Sequence, residues 1–462
     1  MKKDLNFSII GLGKLGSSMA AAIASRNANV IGVDVKHRNV DLLNAGHAPV
    51  QETNLEETIT ANKERLRATL NYREAVLNSD VSFVIVPTPN SKNGAFSLHY
   101  AGRAFKEIGS AIAGKSTYHL VVLTSTVLPG STRYGLLPIL EKYSEKKCGT
   151  DFGLCYSPEF IALGSIINDF LNPDVTLIGE FDERSGRMLE ECYARIMLNK
   201  PPCKRMSIEN AELTKIALNT FVTTKITYAN FLAELCERIP GGDVDVVTGA
   251  IGTDSRIGHK YFTGALGYGG PCFPKDNLAM SFISNKLGIN PAIPETTNNK
   301  NKALVENIIN RLRPELDQWK TAAVLGLAYK PYSHVVEKSQ GLLIAHALAK
   351  AGVRVVAYDP LVVANSAPEE LHGQVTILDS LHACLDQADS VLITTPDPEF
   401  KALGAADFGN RQITVVDFWR ILKTKLTDRP NIRYIPIGQS VNDHENTKLL
   451  AKVWKEESEG EL

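Results

Sequence analysis

The stretch Phe7-Ser-Ile-Ile-Gly-Leu-Gly-Lys-Leu-Gly16 decides how this chain begins to fold. Its first four residues form a short apolar run, which is typical of a buried parallel strand. The alanine-rich residues from Ser17 to Arg26 predict a helix, and Asn29-Val-Ile-Gly-Val-Asp34 predicts a second strand that ends in an acid. A strand, a glycine turn, a helix, a strand and an acid, in this order, predict a dinucleotide-binding βαβ unit.

Each glycine of the turn has its own task in that prediction. Gly11 makes the tight turn, and Gly13 lets backbone amides reach a pyrophosphate. Gly16 permits close packing of the helix on the strand. The turn therefore predicts cofactor contacts at all three glycines.

The acid at the end of the second strand indicates which dinucleotide is bound. Asp34 lies 23 residues after Gly11, where a carboxylate accepts hydrogen bonds from ribose hydroxyls and repels a 2′-phosphate. Lys36 and Arg38 follow closely and are the residue types that a 2′-phosphate would need. We expect NAD rather than NADP.

Two further apolar runs predict parallel strands, Asp80–Val86 and Tyr118–Leu123. Both are followed by threonines, at the sheet edge where open α/β sheets bind ligands. Thr88 and Thr126 are thus candidates to line the nicotinamide side. The alternative is that they only form turns, as threonine often does.

A fifth strand is predicted at Phe152–Tyr156, followed by Ser157-Pro-Glu-Phe160. Glu159 follows a proline at the end of this strand. It is either a catalytic carboxylate or an acid that stabilises a helix N-terminus.

The middle of the chain predicts one long helix, because neither proline nor glycine occurs between Pro202 and Pro240. Apolar residues recur there at helical spacing: Leu213, Ile216, Ala217, Phe221, Phe231, Leu232 and Leu235. Lys215 and Asn219 form an i, i+4 pair away from this stripe, on the side of Glu212 and Thr223. This polar side is either an exposed helix face or a buried stripe that supplies donors to a developing oxyanion.

The stretch Gly267-Tyr-Gly-Gly-Pro-Cys-Phe-Pro-Lys-Asp276 carries the chemistry. Pro274 predicts the first turn of a helix, so Cys272 is expected at the positive end of the helix dipole. A thiol there ionises more easily, Lys275 adds positive charge, and Asp276 lies about one turn away. This is what a cysteine nucleophile with a charged helper needs. The alternative is a Gly/Pro turn around an inert cysteine.

The last third repeats the opening plan without a GxGxxG turn. Strands are predicted at Ala322–Lys330, Val353–Asp359, Asp389–Pro396 and Gln412–Asp417, with a helix at Gly341–Lys350. The fold class predicted is α/β, with two doubly wound Rossmann-like domains joined by a long central helix. We expect an NAD-binding domain at 1–203, a central helical domain at 204–300 and a second Rossmann-like domain at 301–462. The tail from Glu445 is expected to be a solvated end.

Bulk properties exclude several other classes. A chain of 462 residues is too long for one core, and 44% hydrophobic with 22% charged residues is ordinary for a soluble globular protein. A net charge of −1 argues against nucleic acid or an anionic membrane surface as partner. No apolar run approaches the ~18 residues that span a bilayer.

Cysteines, histidines and the N-terminus point to the compartment. Seven cysteines, odd in number and without a CxxC pair, argue against a disulfide framework and favour a reducing cytoplasm. The ten histidines form no HxH or HExxH group, so no metal site is predicted. Met1-Lys-Lys leads directly into the first strand without the apolar region of a signal peptide.

In this order, these stretches resemble the UDP-glucose/GDP-mannose dehydrogenase family over nearly the whole chain. Besides the glycine turn and the Cys272 stretch, the matching segments are Leu43–Glu52, Val86–Pro89, Ser125–Val127, Ser157–Phe160, Lys215–Asn219, Asp254–Gly258 and Gly326–Lys330. The Cys272 stretch is the most specific of them and looks more like the UDP-glucose branch than the N-acetylhexosamine branches. The resemblance implies an NAD-dependent, four-electron oxidation of C6 of a nucleotide sugar, with UDP-glucose giving UDP-glucuronate.

The resemblance also implies roles for the residues found above. Cys272 would capture the C6 aldehyde as a thiohemiacetal, which is oxidised to a thioester and hydrolysed. Lys215 and Asn219 would hold the C6 oxygen, Asp276 would assist Cys272 or the water, and Glu159 would be the general base.

Binding contacts follow from the same likeness, which implies that residues 204–300 dimerise and hold the active site and that residues 301–462 form the UDP-sugar-binding domain. Thr126 would position water or nicotinamide, and Leu12, Thr88 and Ser125 would join the glycines around NAD. The nucleotide sugar would contact Glu159, Phe160, Lys215, Asn219, Tyr268, Gly269, Lys330 and Arg256. Arg256 would reach across the interface of a homodimer.

Three positions depart from the family pattern. Leu163 stands where a second glutamate is usual after Ser-Pro-Glu-Phe, and Val175 replaces an arginine. The segment that in the family usually brings an arginine to the cofactor reads Ser333-His-Val-Val-Glu337 here, so an acidic residue takes the place of a basic one. The chain resembles a divergent member.

The sequence also leaves other functions open. One is the oxidation of another nucleotide sugar, such as a UDP-N-acetylhexosamine. A 6-phosphogluconate or β-hydroxyacid dehydrogenase would need neither Cys272 nor a second Rossmann-like domain. A non-catalytic nucleotide-sugar-binding protein finds support only in Leu163 and Glu337.

Overall fold

The computed structural model describes residues 5–363 and 373–460, so the N-terminal Met1-Lys-Lys lies outside the described residues. The chain forms two compact units. The first holds the residues up to Leu218 together with Phe282–Ile289, and the second holds Asn219–Ser281 and the residues from Asn290 onward. The predicted division into three domains stays a prediction.

The first unit contains a doubly wound sheet of eight strands in the order β3-β2-β1-β4-β5-β6-β7-β8. All neighbouring strands are parallel except β6 and β7, which are antiparallel. The strands are β1 Asn6–Ile10, β2 Asn29–Val33, β3 Leu66–Thr69, β4 Val81–Val84, β5 His119–Leu123, β6 Phe152–Tyr156, β7 Thr176–Glu180 and β8 Cys203–Ser207. The helices are α1 Lys14–Ser25, α2 His37–Asn44, α3 Leu55–Ala61, α4 Tyr72–Leu77, α5 His99–Ala113, α6 Leu137–Ser144, α7 Ile166–Leu171 and α8 Glu183–Ile196, with a π-helical turn at Ser131–Leu136.

Alternation along the strands explains why this sheet is covered on both faces. Leu120 and Val122 of β5 pack into one hydrophobic layer, whereas Val121 and Leu123 pack into the other. Successive side chains of a strand point to opposite faces, so a strand apolar at every position must be buried on both. The continuous apolar runs in the sequence therefore predicted the doubly wound architecture correctly.

The second unit contains a parallel sheet of six strands in the order β11-β10-β9-β12-β13-β14. The strands are β9 Thr321–Leu325, β10 Arg354–Tyr358, β11 Val375–Ile377, β12 Ser390–Ile393, β13 Ile413–Asp417 and β14 Ile432–Pro436. The helices around it are α13 Gln340–Lys350, α14 Leu381–Gln387, α15 Pro398–Ala402, α16 Lys423–Leu426 and α17 Asp443–Gly460, with a 3-10 turn at Ala405–Phe408. The tail after Glu445 is thus the helix α17, with Trp454 66% exposed.

The second sheet repeats the βαβ frame of the first, although its sequence lacks the glycine motif. Gly326 follows β9 with φ +106°, as Gly11 follows β1 with φ +103°. A Cβ on Gly341 would lie 2.1 Å from the carbonyl oxygen of Gly326, just as one on Gly16 would lie 1.8 Å from that of Gly11. The positive φ at Gly326 also explains why the strand predicted at Ala322–Lys330 ends at Leu325.

The remaining helices are α9 Ile208–Cys236, α10 Val244–Thr253, α11 Phe273–Lys286 and α12 Ala292–Leu316. The predicted long central helix is α9, with 29 residues, and the division between the two units falls inside it. Its exposure pattern differs from that of a simple amphipathic helix, because polar residues are buried together with Ile216 while other apolar residues are exposed. Glu212, Lys215, Asn219 and Thr223 are at most 9% exposed, whereas Phe221 is 66% exposed. Of the two alternatives for the polar side, burial is confirmed and the exposed face is wrong.

Candidate active site

The glycine turn of the first unit is built for a dinucleotide. A Cβ on Gly11 would lie 2.2 Å from the carbonyl oxygen of Ile85, so close packing requires glycine at 11 and, as described, at 16. A Cβ on Gly13 would meet nothing within 4 Å. The protein itself does not require glycine at 13, whereas a pyrophosphate approaching the backbone does. The turn therefore fits the phosphates of NAD.

The acid at the end of β2 is held in place by three hydrogen bonds. The Asp34 carboxylate accepts hydrogen bonds from the backbone amides of Leu12 and Lys36, both at 2.8 Å, and from Asn39 Nδ2 at 3.1 Å. A carboxylate has about four acceptor sites, so three bonds leave room for a ribose hydroxyl. Asn39 was missed in the sequence, where nothing but its place five residues after Asp34 marks it.

The polar residues after β4 and β5 tie the two strand ends together. Ser125 Oγ donates to Val86 O at 2.7 Å and accepts from Val86 N at 2.9 Å. Thr88 Oγ1 donates to the carbonyl oxygen of Thr126 at 2.7 Å. Thr88 and Ser125 are 5% and 7% exposed, so these hydroxyls shape the edge of the sheet. Direct contact of Thr88, Ser125 and Thr126 with NAD stays a prediction.

Lys215 of α9 holds the segment that follows β6. Its Nζ donates to the carbonyl oxygen of Glu159 at 2.6 Å and lies 4.7 Å from the ring centroid of Phe160. Burial raises the pKa of the half-buried Glu159 carboxyl to about 8, against the positive charge of Lys215, which lowers it. A carboxyl that titrates near neutrality is suited to acid–base catalysis.

One turn before Lys215, Glu212 fixes a second segment. Its carboxylate accepts from the backbone amides of Gly130 at 2.6 Å and Thr132 at 2.8 Å, and its side chain is fully buried. Burial raises the pKa of Glu212 to about 7, while the hydrogen bonds from Thr132 and Gly130 lower it. This carboxylate caps the π-helical turn after the Thr126 segment, a role that the sequence did not reveal.

In the second unit, Cys272 stands immediately before α11 and is exposed. Its carbonyl oxygen accepts from Asp276 N at 2.9 Å, which closes the first helical turn. Asp276 is 1% exposed, and its Oδ2 accepts from Asn219 Nδ2 of α9 at 2.5 Å. The predicted helix is confirmed, with Pro274 at its second position. The structure thus brings Asp276 and Asn219 together within one turn of the thiol.

The glycines before Cys272 are required by close contacts within the second unit. A Cβ on Gly267 would lie 2.2 Å from Asn301 Oδ1, and one on Gly269 would lie 2.4 Å from the carbonyl oxygen of Lys338. Gly270 has φ +77°, and its amide donates to Glu337 O at 2.8 Å. The loop from Gly267 to Cys272, here called the cysteine loop, therefore packs on α12 and on the segment between β9 and α13.

Three residues predicted to bind the sugar lie in different surroundings. Tyr268 is 4% exposed and its hydroxyl donates to Asn298, so its ring packs inside the loop. Lys330 is half-buried next to Tyr329, with Nζ 5.9 Å from the ring centroid. Arg256 is 85% exposed along its side chain and pairs with Asp254 at 2.6 Å. Their contacts with a substrate stay predictions.

The three departures lie on or near these segments. Leu163 and Val175 are half-buried, the latter immediately before β7. Glu337 is exposed, and its carbonyl oxygen accepts the hydrogen bond of the Gly270 amide. The acidic residue that replaces a basic one therefore lies in the segment on which the cysteine loop packs.

Comparisons with known proteins agree with this arrangement. Residues 5–197, 209–303 and 323–424 match the NAD binding, central and UDP binding domains of the UDP-glucose/GDP-mannose dehydrogenase family. UDP-glucose 6-dehydrogenase AglM of Haloferax volcanii is 36% identical over 90% of this chain and 97% of its own length. GDP-mannose 6-dehydrogenase of Pseudomonas putida is 31% identical over 90% and 96%.

A solved structure gives the same result. The UDP-glucose dehydrogenase of the archaeon Pyrobaculum islandicum is 32% identical, with a TM-score of 0.85 over 95% of this chain and 98% of that one. The comparisons set aside the 6-phosphogluconate and β-hydroxyacid alternative and bear out NAD as the cofactor. This chain belongs to the UDP-glucose/GDP-mannose dehydrogenase family.

Proposed function

We propose that this protein oxidises the C6 hydroxyl of UDP-glucose to the carboxylate of UDP-glucuronate, through a covalent bond to Cys272. The observation that carries the proposal is the exposed thiol at the start of α11, with the buried Asp276–Asn219 pair one turn away. A covalent step explains how a four-electron oxidation proceeds without release of an aldehyde.

The first half of the reaction makes an aldehyde. The C6 hydroxyl loses a proton to solvent and C6 loses a hydride, and NAD, when bound, is the acceptor in this oxidation and in the second. Lys215 and Asn219 stabilise the oxygen that becomes negative, as donors preorganised on one helix face. Their burial makes each interaction stronger than it would be in water.

The second half proceeds on the cysteine. The thiolate of Cys272 adds to the aldehyde carbon, which forms a C–S bond, breaks the C=O π bond and leaves a thiohemiacetal oxyanion. Loss of the second hydride converts this carbon to a thioester. Water then attacks the thioester while Glu159 accepts its proton, the C–S bond breaks, and the thiolate of Cys272 and the product carboxylic acid, which ionises, are released.

UDP-glucose is the favoured substrate because the 36%-identical relative and the 32%-identical structure are both named UDP-glucose dehydrogenases. Relatives named GDP-mannose 6-dehydrogenases are 30–33% identical. The alternative within the same mechanism is another nucleotide sugar, such as GDP-mannose or a UDP-N-acetylhexosamine.

Stoichiometry tests the reaction and its route together. Purified protein is incubated with excess NAD and limiting nucleotide sugar, and absorbance at 340 nm is followed to completion. We expect two NADH per UDP-glucose, no turnover in Cys272→Ala, and full turnover in the matched control Cys203→Ala. One NADH per sugar would overturn the covalent route. Two NADH from a different sugar alone would overturn the choice of UDP-glucose, and NAD binding without turnover of any sugar would favour a non-catalytic binding protein.

We further propose that the protein forms a homodimer through α9. Its surface residues Phe221, Tyr228, Phe231 and Leu235, here called the α9 surface, are 66%, 52%, 43% and 40% exposed. Large side chains at helical spacing on one open face are typical of an interface. The proposed reach of Arg256 across the dimer is supported by its exposure and by Lys225, whose Nζ holds Ile257 O at 3.0 Å.

Light scattering after size-exclusion chromatography tests the dimer. We expect about twice the chain mass for the wild type and a monomer for Phe221→Glu. The control Leu449→Glu changes an equally open apolar residue of α17, 57% exposed, and is expected to stay dimeric. A wild-type monomer, or a dimer that survives Phe221→Glu, would contradict the assignment of this surface.

We place the reaction in the cytoplasm, because the proposed nucleophile must stay reduced and the seven cysteines, all within the described residues, form no disulfide. The described residues contain no helix long and apolar enough to cross a membrane. Cell fractionation is expected to recover the activity with cytoplasmic markers, and recovery outside the cell would overturn this location.

A further inference from the structure

Tyr268 attaches the loop that carries Cys272 to α12 by hydrogen bonds. Asn301 Oδ1 accepts from the backbone amide of Tyr268 at 2.9 Å, and Asn301 Nδ2 donates to its carbonyl oxygen at 3.0 Å. One amide side chain therefore pairs with both backbone groups of one residue. Asn298, one turn earlier on α12, accepts from the Tyr268 hydroxyl at 2.7 Å.

The attachment continues from Tyr268 to the thiol. The Tyr268 ring packs edge-on against Phe273, the first residue of α11, with centroids 6.2 Å apart at 85°. Asn277 Nδ2 donates to the carbonyl oxygen of Phe273 at 3.1 Å. Phe273 follows Cys272 directly, so the position of the thiol at the helix terminus depends on the packing of this ring.

The attachment of Tyr268 to Asn301 requires glycine at position 267. A Cβ there would lie 2.2 Å from Asn301 Oδ1, closer than real contacts allow. Any side chain at 267 would displace the amide that holds Tyr268. The sequence of the loop is thus fitted to Asn301.

We propose that Asn301, supported by Asn298, is a positioning residue that fixes Cys272 for attack by holding Tyr268. This rests on the proposed role of Cys272 as nucleophile. Asn301 touches no reacting atom in the proposed reaction; it sets where the thiolate stands at the start of α11. Misplacement of a nucleophile by about 1 Å lowers a rate about a hundredfold.

The test compares Asn301→Ala with Asn299→Ala, a matched change at an exposed neighbour on the same helix. Two readouts are taken, the steady-state constants with UDP-glucose and NAD, and the rate at which iodoacetamide labels Cys272, measured by peptide mass. We expect Asn301→Ala to lower kcat about 10- to 100-fold with KM for NAD changed less than about threefold, and to slow labelling about tenfold. Asn299→Ala is expected to stay within about twofold of wild type in both.

Two results would overturn the proposal. One is labelling of Cys272 and kcat in Asn301→Ala within about twofold of wild type. The other is a parallel loss of kcat, NAD binding and melting temperature, which would make Asn301 a general stability residue. If Asn301→Ala does not fold, Tyr268→Phe is tested instead; it removes the hydroxyl that donates to Asn298 and accepts from Asn277 Nδ2 at 3.4 Å, and is expected to slow labelling about fivefold. Labelling of that variant at the wild-type rate would likewise overturn the proposal.

The labelling readout also separates this inference from the proposed function. Turnover by Cys272→Ala would refute the nucleophile, yet the labelling rates would still show whether Asn301 governs the exposure and ionisation of the thiol. Slow labelling of Asn301→Ala with normal turnover would overturn the positioning of Cys272 for attack by Asn301 and leave the proposed function intact.

Discussion

Hydrolysis of the proposed Cys272 thioester is predicted to accelerate with pH through the titration of Glu159, its proposed general base. Burial raises the pKa of this carboxyl to about 8, so most of the side chain is protonated at neutral pH. Only the ionised form accepts a proton from water. The hydrolysis rate should therefore rise tenfold per pH unit below 8 and level off above it.

The size of the effect follows from the ionised fraction. With a pKa of about 8, about 3% of Glu159 is ionised at pH 6.5, so hydrolysis should be about 30-fold slower there than on the plateau. Removal of the Lys215 charge that opposes burial moves the pKa of Glu159 upward. Lys215→Met should shift the rising part of the plot of hydrolysis rate against pH to higher pH, in addition to its effect on the first oxidation.

A single-turnover experiment isolates this step. Enzyme in excess over UDP-glucose is mixed with NAD, quenched in acid at successive times, and the covalent sugar adduct on Cys272 is quantified by intact mass from pH 6 to 9.5. Glu159→Gln should accumulate the adduct and lose it about a hundred- to ten-thousandfold more slowly. A decay rate that is flat between pH 6.5 and 8.5, or a Glu159→Gln variant with the wild-type profile, would refute the reasoning.

Three further predictions concern other parts of the chain. Arg420, with its side chain 1% exposed, donates to both oxygens of Asp245 and to three carbonyl oxygens. Arg420→Met should cost about 3–5 kcal/mol and Asp245→Asn, whose side chain is 46% exposed, only about 1 kcal/mol. Tryptophan fluorescence in urea measures this, because Trp319, Trp419 and Trp454 all lie in the second unit, and equal shifts would contradict it. Burial and the positive charge of Lys115 hold the pKa of His119 well below its usual range, so the imidazole binds a proton more readily in the unfolded chain than in the folded one. The stability that this difference contributes is complete above about pH 6.5 and decreases as the pH falls through that value. Hydrogen exchange of β5 should show this acid sensitivity, with a weaker dependence in His119→Gln. Asp34→Asn should weaken NAD binding about tenfold in calorimetry and reduce the discrimination against NADP, and unchanged affinity for both would remove the assigned ribose contact.

The sequence predicted those features that depend on local periodicity. Apolar runs at β1, β4 and β5 identified buried parallel strands, because such strands need no partner-specific information beyond burial on both faces. The glycine turn was equally predictable, since the contacts that exclude a Cβ at Gly11 and Gly16 come from the same βαβ unit. The N-terminal position of Cys272 on α11 followed from Pro274.

Features that depend on contacts between distant segments could not be predicted. The apolar stripe of α9 indicated a helix, but the spacing does not state which face is buried, and here the polar face is. Asn301 is 33 residues from Tyr268 and Glu212 is 80 residues from Thr132, so neither pairing leaves a local pattern. An asparagine on a helix has no distinguishing spacing until its partner is known.

The paired glycines of the second sheet have a consequence for how this enzyme class can diversify. Four residues separate Gly11 from Gly16, whereas fourteen separate Gly326 from Gly341, and both pairs make the same contact. Lengthening a closed segment by this much costs only about 1 kcal/mol of chain entropy. The strand–helix junction can therefore accept insertions of very different length and composition while its sheet stays unchanged. The inserted segment contacts the cysteine loop through the backbone of Glu337 and Lys338. Substitutions that adapt the loop to a new sugar can therefore arise in this segment with little effect on the folding of the sheet.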